Sequence, residues 1–399
     1  MFDFFRRYAD GIVSALPADR LLALDVFRGL TITAMVLVNN PGSWSHVYSP
    51  MLHAQWHGWT PTDLIFPFFV FIVGVSVSIV MNREVAKGTN KGLLVKSAAI
   101  RGGKLFALGL FLALFYFNFN DPNFSWVNQQ LASIRVMGVL QRLGLVFVLT
   151  VLVVLYFKPR GRLIWIFALL FGYWAALMWV PYGNGGEMYR GKLLFGNNLT
   201  AWIDSQVFAA KHLYYKEAIP YAFDPEGLFS TLPAVASALA GVFTGDLLMN
   251  KDKSLAYKTK VMCAVGAILI VTGEAWGWIL PINKSIWTSS YVVMSTGWAL
   301  LILGGLTWLI DIKGKKRWTA PFVVFGANAI AFYMFSAVVA RLFIMLPVAD
   351  TSLHGWLYSE VYQPLFGNLN GSLMFAVSFC LGCYVVMHYL YKNKIFFKV

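Results

Sequence analysis

Of 399 residues, 58% are hydrophobic and only 13% charged, against roughly 25% charged in a soluble domain, so most of the surface faces hydrocarbon. The apolar runs last about 20 residues instead of alternating over about 10, which excludes a transmembrane barrel and leaves an all-α polytopic bundle. The formal charge of +14 lies in short clusters between apolar runs, not on one basic face, which argues against nucleic-acid binding.

Residues 1–22 are mixed and polar, without the pattern of a cleavable signal peptide. Ten spans follow, at 24–40, 61–80, 97–117, 134–157, 163–180, 228–249, 261–280, 291–310, 321–345 and 371–390, each long enough to cross a core about 30 Å thick. With the N-terminus inside, inward segments hold 24 of the 32 basic residues, among them Arg20 and Lys398, and outward loops hold five. That asymmetry sets both termini in the cytoplasm. The expected organisation is a cytoplasmic segment 1–23, a single transmembrane domain 24–390 and a cytoplasmic tail 391–399. The outward loops 41–60 and 183–227 are long, aromatic and polar. Cys263, Cys380 and Cys383 all lie in apolar runs, so no disulfide framework is expected, and Cys380-x-x-Cys383 reads as packing within a helix. No zinc or other metal site is expected.

Charged groups inside a bilayer are costly, about 2.5 kcal/mol or more at mid-depth, so each needs a partner or a role. Asp25 and Arg28 are spaced for an i,i+3 ion pair or for a ligand role. Arg135 and Arg142, seven apart in the fourth span, would share one helix face. They would then clamp a polyanion such as a nucleotide diphosphate, or pair with Asp25, Glu274 or another buried acid. Asn328 in the ninth span is an amide that must find a partner.

The densest polar stretch runs from Asn39 through His53 and Trp56-His57 to Asp63. Thr60-Pro61 reads as a helix cap with proline in the first turn, placing Asp63 at the positive end of that helix. Asn39 ends the preceding span at the same boundary. Asn39, His53 and Asp63 would supply an amide donor, an imidazole and an orienting carboxylate, the parts needed for general-base attack of an amine on a thioester. On spacing alone His57, His46, His212 and His354 are equally eligible, whereas His388 reads as an interface residue.

Several stretches resemble the heparan-α-glucosaminide N-acetyltransferase family. They are Leu24-Asp25-Val26-Phe27-Arg28-Gly29-Leu30, His53-Ala54-x-Trp56-x-Gly58-x-Thr60-x-x-Asp63-Leu64-x-Phe66-Pro67, Ile134-Arg135-x-x-Gly138-Val139-Leu140-Gln141-Arg142, Phe223-Asp224-Pro225-Glu226-Gly227, and Pro281-Ile282-Asn283-Lys284-x-x-Trp287. The resemblance implies an enzyme that takes acetyl-CoA from the cytosolic side and delivers acetyl to a glucosamine amine on the opposite face. It puts the catalytic histidine on His53 and the active-site asparagine on Asn39, and the residue reading adds Asp63 as the orienting group. Arg28, Arg135, Gln141, Arg142, Asn283, Lys284 and Asn328 are then candidates for the CoA thioester, and Asp224, Glu226, Trp56 and His57 for the amino sugar.

Relative to the animal members, the luminal domain and first span are missing. The chain therefore looks like a short bacterial form in an inner membrane, using glucosamine or a glucosamine-ended saccharide. The animal members also suggest a homodimer. Whether acetyl passes directly to the amine or through an acetylated His53 stays open. An amino-sugar permease without acyl transfer is the alternative, with the same polar groups lining a path.

Overall fold

A computed structural model describes residues 2–14, 21–119 and 121–397; Arg20 and Lys398 lie outside them. The helices are α1 (Phe2–Ser14), α2 (Leu22–Asn39), α3 (Ile65–Ala86, entered through a 3-10 turn at Pro61–Leu64), α4 (Lys91–Leu114), α5 (Val139–Tyr156) and α6 (Pro159–Trp179). The short α7 (Leu199–Val207) lies in a loop and is followed by α8 (Thr231–Met249), α9 (Leu255–Gly277) and α10 (Ser289–Leu306). The chain closes with α11 (Ala320–Ala327), α12 (Ala329–Met345), the one-turn α13 (Leu353–Trp356) and α14 (Gln363–Phe366), and α15 (Asn368–Lys392). Strand structure among the described residues is confined to three two-residue hairpin pairs in the loops. The protein is an all-α polytopic membrane protein.

Helix starts follow local chemistry. Asn90, Ser254 and Asn198 each accept a backbone N–H of the following turn, and Pro159 opens α6 where its missing N–H would have had no intrahelical partner anyway. α2, α3, α5 and α8 form the buried centre, while α4, α6, α9 and α15 turn most of their surface outward to lipid. Glycines set how close the central helices come. A Cβ on Gly74 would lie 1.8 Å from the Ala238 carbonyl oxygen, and one on Gly29 1.8 Å from that of Phe322. α3/α8 and α2/α11 therefore touch backbone to backbone, the small-residue packing of membrane helices.

Among the described residues nine helices are long and apolar enough to span a bilayer, and a tenth crossing forms if α11 and α12 count as one. The expected continuous ninth span at 321–345 is corrected here: it is broken at Asn328 and bent by 75°. The physical reason is Asn328 itself. Its Nδ2 donates to Ile395 O at 2.8 Å and its Oδ1 accepts from Phe397 N at 3.0 Å, so the bend lets the tail satisfy a polar side chain that a straight apolar span would leave unpaired. Loops 40–60, 115–138, 180–230 and 280–288 gather at one end of the bundle, the loop face; the clustered lysines and arginines mark the opposite, basic face.

Candidate active site

The site begins with the cap on α3. Thr60 and Pro61 open the 3-10 turn, and Asp63, only 1% exposed, turns its carboxylate back over it. Oδ2 accepts Ala54 N and Thr60 N, both at 3.0 Å. Oδ1 is left for His53 Nδ1 at 2.6 Å. A carboxylate can only accept, so Nδ1 of the neutral ring carries the proton and Nε2 keeps a lone pair. The buried Tyr291 hydroxyl donates to Asp63 O at 2.5 Å and ties this turn to α10.

His53 opens into a cavity of about 220 Å³ at the loop face. Met35, Val38 and Asn39 of α2 form one wall, Ile65 and Phe66 of α3 another, and Trp56, Arg135, Tyr214, Tyr215, Glu226 and Lys284 the rim. Among the described residues His53 is the one histidine lining it. The rivals have structural partners: His46 meets the Tyr358 hydroxyl, His212 the Ile134 carbonyl and His354 the Pro41 carbonyl. His57 stands outside the cavity, 3.4 Å from Asn283 Nδ2, and burial lowers its pKa.

One wall is an ion network. Arg135 grips Asp224 through two nitrogens at 2.7 and 2.6 Å and reaches Glu226 at 2.6 Å. Its guanidinium lies 4.6 Å from the centre of the Tyr214 ring. Burial pushes the Glu226 carboxyl up, but Arg135, Arg142 and Lys284 more than cancel this and leave it below the ordinary glutamate value. Behind the network, Asp204 accepts Asp224 N and Leu228 N at 3.2 and 3.1 Å and holds the 224–228 turn, and burial pushes its carboxyl up to about 7.

Of the expected residues, the structure brings His53, Asn39, Asp63, Trp56, Glu226, Arg135 and Lys284 into one cavity. Trp56 is fixed there by its Nε1 donating to Leu193 O at 2.8 Å and by edge contacts with Phe195 and Phe223. Asp224 is fully buried behind Arg135.

The expected helix face shared by Arg135 and Arg142 is corrected. Residues 134–138 are non-helical, pinned by Val136 N donating to His212 O at 3.3 Å, and α5 starts at Val139. Arg142 is fully buried, donates to Gly227 O and Ser230 Oγ, and lies 5.0 Å from the centre of the Trp287 ring.

The other residues expected at CoA do not form one group. Arg28 lies in the basic-face half of α2 near Asp25 and Ser76. Gln141 is buried against Gly109 and Gly138. Asn283 is used up in bonding Trp56 O, Ile286 N and Thr288, and Asn328 in holding the tail. Glu274, an expected partner for the arginines, instead accepts Trp59 Nε1 at 2.8 Å.

Tyr214 and Tyr215, which the sequence reading passed over, line the cavity as well. Their signal was an aromatic pair in the long 183–227 loop. Directly below, a small apolar cavity of about 10 Å³ is lined by Ile32, Phe69, Leu143, Ile330 and Tyr333, and it shares Met35 and Val139 with the larger one.

A family model described as the catalytic region of heparan-alpha-glucosaminide N-acetyltransferase matches residues 20–279. Heparan-alpha-glucosaminide N-acetyltransferase of Homo sapiens is 29% identical to this chain over 432 aligned positions, covering 97% of the chain. The Mus musculus protein of the same name is 30% identical over 426 positions, covering 96%. The chain spans 61% of the length of each of these relatives. The matched region contains the His53–Asp63 pair, the Arg135 network and every helix of the buried centre, and on that ground the chain belongs to the heparan-α-glucosaminide N-acetyltransferase family.

Proposed function

We propose that the chain is a transmembrane N-acetyltransferase that moves acetyl from acetyl-CoA, entering at the basic face, to the amine of glucosamine or a glucosamine-ended saccharide at the loop face. The observation that carries this is His53 Nδ1 held 2.6 Å from a buried carboxylate, with Nε2 left unprotonated at the cavity. A sugar amine at the rim gives a proton to Nε2 as its nitrogen attacks the thioester carbonyl, and Asn39 donates to the developing oxyanion. Glu226, kept ionised by its cationic neighbours, and the Trp56 and Tyr214 rings supply charge and flat apolar faces for an aminated sugar.

Beneath the site, between α2, α5 and α12, lies an apolar void of about 10 Å³, room for no more than a water. Met35 and Val139 separate it from the cavity above. An unbranched methionine is a wall that can swing, and the pantetheine arm reaches His53 by this side only if Met35 and the helices around it move apart, since the void itself does not hold it. Arg28, nearer the basic face, stands where CoA phosphates would arrive.

Thiol release by the purified chain, given acetyl-CoA with glucosamine, galactosamine or a chitosan oligomer, tests the reading. Release should depend on the amino sugar, and His53→Ala should lower it by about 10²-fold or more while the protein still elutes as a single folded species. Retained turnover in His53→Ala removes His53 from the mechanism. Vesicle uptake of unmodified amino sugar without CoA would replace the enzyme with a permease. An acetyl group trapped on His53 would select the two-step route over direct transfer.

A further inference from the structure

The rim of the cavity carries a cation that the scheme above leaves idle. Lys284 Nζ lies 3.1 Å from both His53 Nδ1 and His53 Nε2. The in-plane lone pairs of an imidazole diverge, and Nδ1 already faces Asp63. A nitrogen equidistant from both therefore rests against the ring face and is a hydrogen-bond partner of neither. Lys284 pairs with Asp63 Oδ1 at 3.8 Å, a long ion pair that leaves ammonium hydrogens free for another acceptor. Its backbone is fixed, because Asn283 binds Trp56 O and Ile286 N on either side, and Trp287 N donates to Lys284 O at 3.0 Å. The ammonium is thus held over the ring of His53, 3.1 Å from Nε2, with donors to spare.

We propose that Lys284 is a catalytic residue whose ammonium stabilises the oxyanion formed on the acyl carbonyl beside His53. This rests on the acyl-transfer reading. As the amine nitrogen bonds to the carbonyl carbon, the C=O π pair moves to oxygen and His53 Nε2 takes the amine proton. The oxyanion then sits between Lys284 Nζ and Asn39. When it collapses, the C=O re-forms, the C–S bond breaks, and the thiolate leaves with the proton from His53. The charged and titratable groups facing Lys284 are His53, Asp63, Glu226 and Arg142. Burial lowers its pKa from the ordinary lysine value, against the upward pull of Asp63 and Glu226, and Arg142 lowers it further. It is therefore an ammonium that titrates earlier than a surface lysine.

The test is steady-state kinetics of the full chain with acetyl-CoA and glucosamine, comparing Lys284→Met and Lys284→Arg. Removing an oxyanion donor lowers kcat by about 10²–10³-fold with little change in KM for acetyl-CoA, and Lys284→Met should show that split. Lys284→Arg should retain more activity and move the alkaline limb of the kcat profile upward, because guanidinium does not deprotonate in that range. A Lys284→Met enzyme within about threefold of wild-type kcat, or an unmoved alkaline limb in Lys284→Arg, overturns the assignment while leaving acyl transfer standing. A wild-type protein that releases no thiol overturns acyl transfer and this inference together.

Discussion

Asp63→Asn removes one charge and almost no volume, and it separates the fixing of His53 from the capping of α3. Asp63 receives three hydrogen-bond donors and one ion-pair neighbour. His53 Nδ1 reaches Oδ1 at 2.6 Å, Ala54 N and Thr60 N each reach Oδ2 at 3.0 Å, and Lys284 Nζ stands 3.8 Å from Oδ1. An amide with its oxygen in the Oδ2 position keeps the two loop bonds but turns an NH2 toward His53. The ring must then accept at Nδ1, which puts its proton on Nε2 and points a donor into the cavity where the lone pair was. The base disappears although the ring remains.

The same tautomer inversion in a serine-protease triad lowers kcat about 10⁴-fold. The His53 side chain is 51% exposed, so water competes for the ring, and a loss of roughly 10²–10³-fold in kcat is expected. Loss of one charge-assisted bond should lower stability by about 1.5 kcal/mol, the low end for such bonds, because of the same exposure.

Thr60→Val is the control. It deletes the hydroxyl that donates to Leu52 O at 2.6 Å, but it spares the His53 contact. It should cost about 1 kcal/mol, as a lost cap does, with kcat nearly unchanged. Thiol release and tryptophan-fluorescence melting on the three proteins decide the matter. Near-wild-type kcat in Asp63→Asn, or equal losses in the two variants, would refute the reasoning.

Two further outcomes concern the ion network. Arg135→Met strands the buried Asp224 and Glu226 and should destabilise the protein by about 3 kcal/mol, the low end for a broken buried pair because Arg135 is partly exposed. Arg135→Lys should recover only part of this, since an ammonium cannot make the two-nitrogen grip on Asp224; melting temperatures read both, and full recovery by lysine would contradict it. Glu226 sits below its ordinary value in the folded protein, so the stability it lends is complete above the unfolded value near 4.5 and is lost as pH falls through the lower folded value. Glu226→Gln should therefore flatten the acid side of the melting temperature against pH, and an unaltered acid limb would count against the assignment.

Much of the bundle was legible because a membrane span is a composition signal, and runs of about 20 apolar residues survive any detail of packing. The break at Asn328 was not, since one asparagine in an apolar run does not announce that a segment far along the chain will satisfy it. The His53–Asp63 pair was readable through Thr60-Pro61, whose cap chemistry fixes where Asp63 must point. Arg135 was misplaced because heptad spacing to Arg142 assumes a continuous helix, whereas the Ile134 and Val136 backbone bonds to His212 hold that stretch out of one. Its true partners, Asp224 and Glu226, are 89 and 91 residues away, beyond what any local pattern carries.

The Asn328 clamp has a consequence for biosynthesis. The two backbone groups that satisfy it lie 67 and 69 positions downstream. While the ribosome is still making α15, the kink between α11 and α12 has no tail to hold it, and its amide must find water, lipid headgroup or an insertase. Ile330 and Tyr333, which line the small apolar cavity below the site, lie on α12 just past that kink. The kink is therefore clamped only once residues 395–397 are made, whereas the His53–Asp63 pair comes from segments made first.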